Sequence, residues 1–91
     1  MIPRLPDSYY LEIQERLRRL VDSTRPIPDR DRASIEELID HNELGLALDF
    51  LAAALAHRGT PIDEPSRKEI ARLVELMGLD PKISRQVADL K

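Results

Sequence analysis

Apolar residues recur along this chain at the three- and four-residue spacing of a helix, and nowhere alternate as a half-buried strand would. A first helix is expected from an Asp7 or Ser8 cap, with Tyr10, Ile13, Leu17, Leu20 and Val21 on one stripe, fading at Ser23-Thr24. Arg25-Pro26-Ile27-Pro28 then forbids helix and sets an extended linker. A short second helix follows an Asp29 or Asp31 cap, buries Ile35, Leu38 and Ile39, and turns Glu36, Glu37 and Asp40 outward until it ends near His41 or Asn42. The third runs from about Glu43 to Ala56 or His57, with Gly59 as its stop. The fourth starts at an Asp63 cap, buries Ile70, Leu73, Val74 and Met77, and stops at Gly78; the fifth begins with Asp80-Pro81 and carries Ile83, Val87 and Leu90.

The third helix organises the rest. Leu44, Leu48, Leu51 and Leu55 form one apolar stripe, and Leu46, Phe50 and Ala53 form a second on a different side. A helix apolar on two sides is expected to be covered on both, with the other helices around it. Its remaining side, Gly45, Asp49, Ala52 and Ala56, reads either as a close helix approach or as a shallow open surface holding Asp49. The fold class is therefore all-α: a compact bundle of four to five short helices around a central apolar helix, forming one domain over residues 1–91.

Length and composition limit what such a bundle can do. Ninety-one residues bury only about 60 to 65% of their unfolded surface, which leaves little room for a deep active site. With no cysteine, disulfides and thiolate metal sites are excluded, and His41 and His57 are the only imidazoles. MIPRLPDSYY lacks the apolar core of a signal peptide, and no segment approaches 18 uninterrupted apolar residues, so a cytoplasmic chain without membrane contact is expected. Three aromatics, Tyr9, Tyr10 and Phe50, are too few for a base-stacking platform.

Charge is unevenly distributed within the net −3. Residues 29–49 hold seven acids, Asp29, Asp31, Glu36, Glu37, Asp40, Glu43 and Asp49, against Arg30 and Arg32 alone, whereas each flank carries one excess base. A surface of that sign argues against a nucleic-acid ligand and favours a cationic partner.

The stretch IDHNELGLALDFLAAALAH, residues 39–57, raises the one chemical question. His41-Asn42-Glu43 supplies too few converging ligands for a metal, and the His-x-Glu of zinc deaminases requires a Cys-x-x-Cys that is missing. HExxH, GxSxG and a phosphate-cradling glycine loop are absent as well, since the glycines stand singly at 45, 59 and 78. An acid-base role for His41 with Glu43 would lack a nucleophile and oxyanion donors. The cluster reads as a joint in which Asn42 or His41 caps the elbow and Glu43 occupies the first turn of the next helix. No cofactor and no metal are expected.

The same residues resemble a family. ELIDHNELGLALDFLAAAL is similar to the signature of small bacterial immunity proteins of the MafI type, from polymorphic toxin and contact-dependent inhibition systems: a short acidic helix, a His-(Gly or Asn)-Glu elbow, then Gly-x-Ala-Leu-(Glu or Asp)-x-Leu. Here Glu37, Leu38, Ile39, His41, Asn42, Glu43, Gly45, Ala47, Leu48, Asp49 and Leu51 carry it, and TPIDEPSRKEIARLVELMGLD resembles the family's next helix. The resemblance implies a non-enzymatic protein that binds and neutralises a cognate toxin, often a nuclease, in the producing cell.

On that reading Glu36, Glu37, Asp40, Glu43 and Asp49 are the candidate toxin-binding residues, and the chain is a monomer or weak dimer. The alternatives are that Glu36, Glu37 and Asp40 form only a solvated face, that the chain is a helical adaptor or regulator domain with another protein partner, or that it is a small helix-turn-helix DNA binder built on residues 66–90 with Arg67, Lys68, Arg72, Lys82 and Arg85. Glu69, Glu75, Asp89 and an overall pI near 5.3 weigh against the last.

Overall fold

A computed structural model of the chain describes residues 7–24 and 27–90, and among these it shows five helices and no strand. They are α1 (Asp7–Ser23), α2 (Asp29–Asp40), α3 (Leu44–Arg58), α4 (Glu64–Met77) and α5 (Lys82–Val87). None is long and apolar enough to cross a membrane.

The expected stripes become the core. Ile13, Leu17, Leu20 and Val21 of α1, Ile35 and Ile39 of α2, and Ile70, Leu73 and Val74 of α4 are buried with Leu44, Leu48, Leu51 and Leu55 of α3. Tyr10, Leu38 and Met77 are only partly covered and pack on the rim. α3 touches all four other helices, as a central helix must. Near-complete burial of those side chains removes about 1.5–3 kcal/mol of apolar exposure for each leucine or isoleucine, the main drive for folding.

Helix ends follow local chemistry, with two departures. Asp63 caps α4 as expected, its Oδ1 accepting from Ser66 N–H at 2.9 Å. α2 instead starts from Pro28, whose φ of −56° and ψ of 143° give the extended entry, while Asp29 and Asp31 stand in the first turn where the helix dipole favours anions. Asp7 and Ser8 both fall inside α1, and the residue that would cap it lies outside the described residues. Of the linker, Arg25 and Pro26 likewise lie outside them. Thr24 closes α1, its buried hydroxyl donating to the Leu20 carbonyl at 2.9 Å.

The second apolar stripe of α3 is not covered. Leu46 is 56% exposed, Phe50 40%, and Ala53 is exposed beside them. The expectation that both sides are buried fails because the four neighbours close only one broad side of α3. The small-residue side does meet a neighbour: a Cβ on Gly45 would lie 3.0 Å from Leu79 Cδ2, and Ala52 is fully buried. A close neighbour is thus the right reading for Gly45 and Ala52, although at Gly45 it is a side chain of the α4–α5 connection and not a helix, while Asp49 and Ala56 sit half-buried at its margin.

Candidate partner-binding surface

The elbow between α2 and α3 is made by backbone geometry rather than by a side-chain cap. Asn42 takes φ of 59°, in the left-handed region. Asn42 N–H then donates to Ile39 O at 3.0 Å and Glu43 N–H to Leu38 O at 2.9 Å, the paired bonds of a Schellman ending. The same pattern closes α3 at Gly59 and α4 at Gly78. Asparagine is the residue besides glycine that most readily adopts this conformation, which explains the Asn at 42. The N-cap of α3 is Glu43 itself, without a side-chain cap bond, so neither His41 nor Asn42 caps α3 and Glu43 precedes its first turn. The Asn42 side chain is used elsewhere, accepting from Gln14 Nε2 of α1 at 3.3 Å. His41 Nδ1 lies 2.8 Å from the Glu37 carbonyl and donates to it in the tautomer protonated there. Both ends of the joint are thereby held against α1 and α2.

The five candidate acids separate into three groups. Asp40 accepts from Arg18 Nη2 of α1 at 2.6 Å, and Glu36 pairs with Arg32, which also bonds Asp22 of α1. Asp40 thus ties α2 to α1 while Glu36 is bound within α2; both side chains stay largely at the surface, as expected, but their arginines partly neutralise them. Glu37 and Glu43 remain exposed, and among the described residues neither pairs with a cation. They line one open groove with Ser34, Leu38, His41 and Phe50. Asp49 is half-buried on the far margin of α3 and does not line this groove.

Leu46 and Phe50 are the surface residues that sequence reasoning misplaced. They follow each other at four-residue spacing, so Leu46 lies exposed on the same helical face, beside the groove that Phe50 lines. The surface at the elbow is therefore apolar in its middle and acidic at its edge, through Glu37 and Glu43. Protein interfaces are built in this way, with an apolar centre and a charged rim. Groups of three or more residues able to hold a metal are not found among the described residues.

Between α4 and α5 the surface has the other sign. Lys68 of α4 and Ser84 and Arg85 of α5 border a groove in which Arg67 is already engaged, bonding Glu64 at 2.7 Å and the Leu90 carbonyl. α5 has six residues and spends Ile83 and Val87 on the core. Away from both surfaces, Arg16 of α1 grips Glu69 of α4 through two bonds, Nε to Oε2 at 2.9 Å and Nη2 to Oε1 at 2.7 Å. The hydrogen bond from Arg16 holds the Glu69 carboxyl below its ordinary range, and the same bond raises the guanidinium. No family model, curated protein or solved structure matches the chain.

Proposed function

We propose that this chain is a non-enzymatic immunity protein that binds and neutralises a cognate secreted bacterial toxin in the producing cell. The observation that carries the proposal is the elbow surface: an exposed phenylalanine and leucine on the central helix beside two glutamates that pair with no cation among the described residues. A small domain gains nothing in stability by exposing such side chains on its most connected helix, and an acid-edged apolar surface suits a cationic protein partner. It coincides with the resemblance to immunity proteins of the MafI type, since His41, Asn42, Glu43 and the residues after them are the ones that shape it. A cationic nuclease is the toxin class this charge best fits. The binding residues are then Glu37, Glu43, Leu46 and Phe50, with Glu36, Asp40 and Asp49 in supporting positions.

The test begins at the neighbouring open reading frame, where a large secreted protein with a variable C-terminal domain is expected. Expressing that domain should stop growth, and co-expressing this chain should restore it. His41→Ala should keep the protection apart from any loss that follows stability, because the imidazole serves the joint. A toxic domain that this chain does not counteract would remove the proposal. Salt-dependent binding of the purified chain to random duplex DNA would shift the assignment to the α4–α5 groove and a DNA-binding role.

A further inference from the structure

The exposed stripe of α3 is complementary to a second copy of itself, and we infer that the free chain pairs with another through this helix, antiparallel and about a two-fold axis. Leu46, Phe50, Ala53 and His57 are spaced four, three and four residues apart, so they share one helical face. All four are exposed. Along that face the order is large, large, small, polar. A two-fold axis between positions 51 and 52 turns the order around in the second copy. Phe50 then rests over the methyl of Ala53 of the other copy, and Leu46 lies beside its His57.

Charge follows the same register. Glu43 stands at the start of the face, and His57 and Arg58 occupy the last turn of α3. Reversal brings the acidic end of each copy to the basic end of the other, twice per pair. A parallel pair would instead set Phe50 against Phe50 and Glu43 against Glu43. Net charge of −3 on each copy opposes association, so the pair is weak and forms at high concentration. Phe50 belongs both to this face and to the groove at the elbow, so a bound toxin and a second copy exclude each other. The inference itself concerns the chain alone, and it stands or falls independently of the toxin.

The absence of cysteine makes the geometry directly testable. Leu46→Cys and His57→Cys each place one thiol on an exposed position, where folding should survive and circular dichroism can confirm it. In an antiparallel pair these two positions face each other, whereas Leu46 and its own copy are about 16 Å apart along the axis, beyond disulfide reach. An equimolar mixture in a glutathione redox buffer should yield the mixed disulfide several-fold over either self-linked product. Adding Phe50→Ser to both chains should reduce the mixed product to the level given by Glu75→Cys, an exposed position on α4. Sedimentation equilibrium should show a concentration-dependent rise in mass that Phe50→Ser abolishes. Preferential self-linking of Leu46→Cys would overturn the antiparallel register. A mixed product no greater than that of Glu75→Cys, or mass unaffected by Phe50→Ser, would overturn the pairing.

Discussion

Asn42 carries the elbow on a single dihedral angle. Its φ of 59° costs most L-residues about 1–2 kcal/mol. Asn42→Gly and Asn42→Ala both lose the bond to Gln14, so the difference between them isolates the backbone. Chemical denaturation should find the alanine variant less stable than the glycine variant by about 1 kcal/mol. Carboxylates also tune stability at this scale. Asp63 is held below its usual range by the Ser66 cap, and Glu69 by Arg16. Both are depressed in the folded state, so their contributions are complete above the unfolded values and vanish as protons bind the native carboxylates. Stability should therefore fall as pH drops below about 4, and Glu69→Gln should flatten part of that slope in urea titrations. The Asp63 cap was legible in the sequence because capping is local, reaching three residues to Ser66. The fate of Asp40 was not. Arg18 lies 22 residues before Asp40, and nothing in a helical pattern says which arginine crosses to which acid.

Helix α3 shows where periodicity stops being informative. Spacing correctly grouped Leu44, Leu48, Leu51 and Leu55 on one face and Leu46, Phe50 and Ala53 on another. It could not say whether a neighbour covers the second face, because that depends on how many helices fit around α3 and how long they are. Its four neighbours, the last only six residues long, cover just one side and its margins. The two faces should respond differently to truncation. Leu48→Ala, at a fully buried site, should cost about 2–5 kcal/mol, enough to endanger a domain of this size. Leu46→Ser should change stability by no more than about 0.5 kcal/mol. A thermal melt separates these outcomes, and similar losses from both would mean that the second stripe is buried after all. Gly45 was readable as a contact or as an opening, and Leu79 decides for contact by lying against the position where its Cβ would be.

At the scale of the molecule, the acidic sector of the sequence becomes two things: arginine-paired carboxylates, Glu36 within α2 and Asp40 across to α1, and an outward edge through Glu37 and Glu43. That division changes which charges a partner can feel. Reversing Glu36 or Asp40 would mix a lost arginine pairing with lost attraction, and Glu69 would be a poor control because Arg16 holds it. The informative variant is Glu37→Lys with Glu43→Lys, compared with Glu75→Lys and Asp89→Lys, which are exposed on or after the C-terminal helices. The decisive measurement is the association rate of each variant with the toxic domain encoded beside this chain, followed from low to high ionic strength. The elbow pair should slow association on the order of tenfold at low salt, and the difference should shrink beyond about 0.15 M, where the Debye length is roughly 8 Å. Thermal stability should remain near that of the unaltered chain, and the control pair should have little effect. Equal slowing by both pairs would reduce the acidic edge to general charge steering, and slowing by the control pair alone would place the toxin on the other side of the bundle and contradict the account.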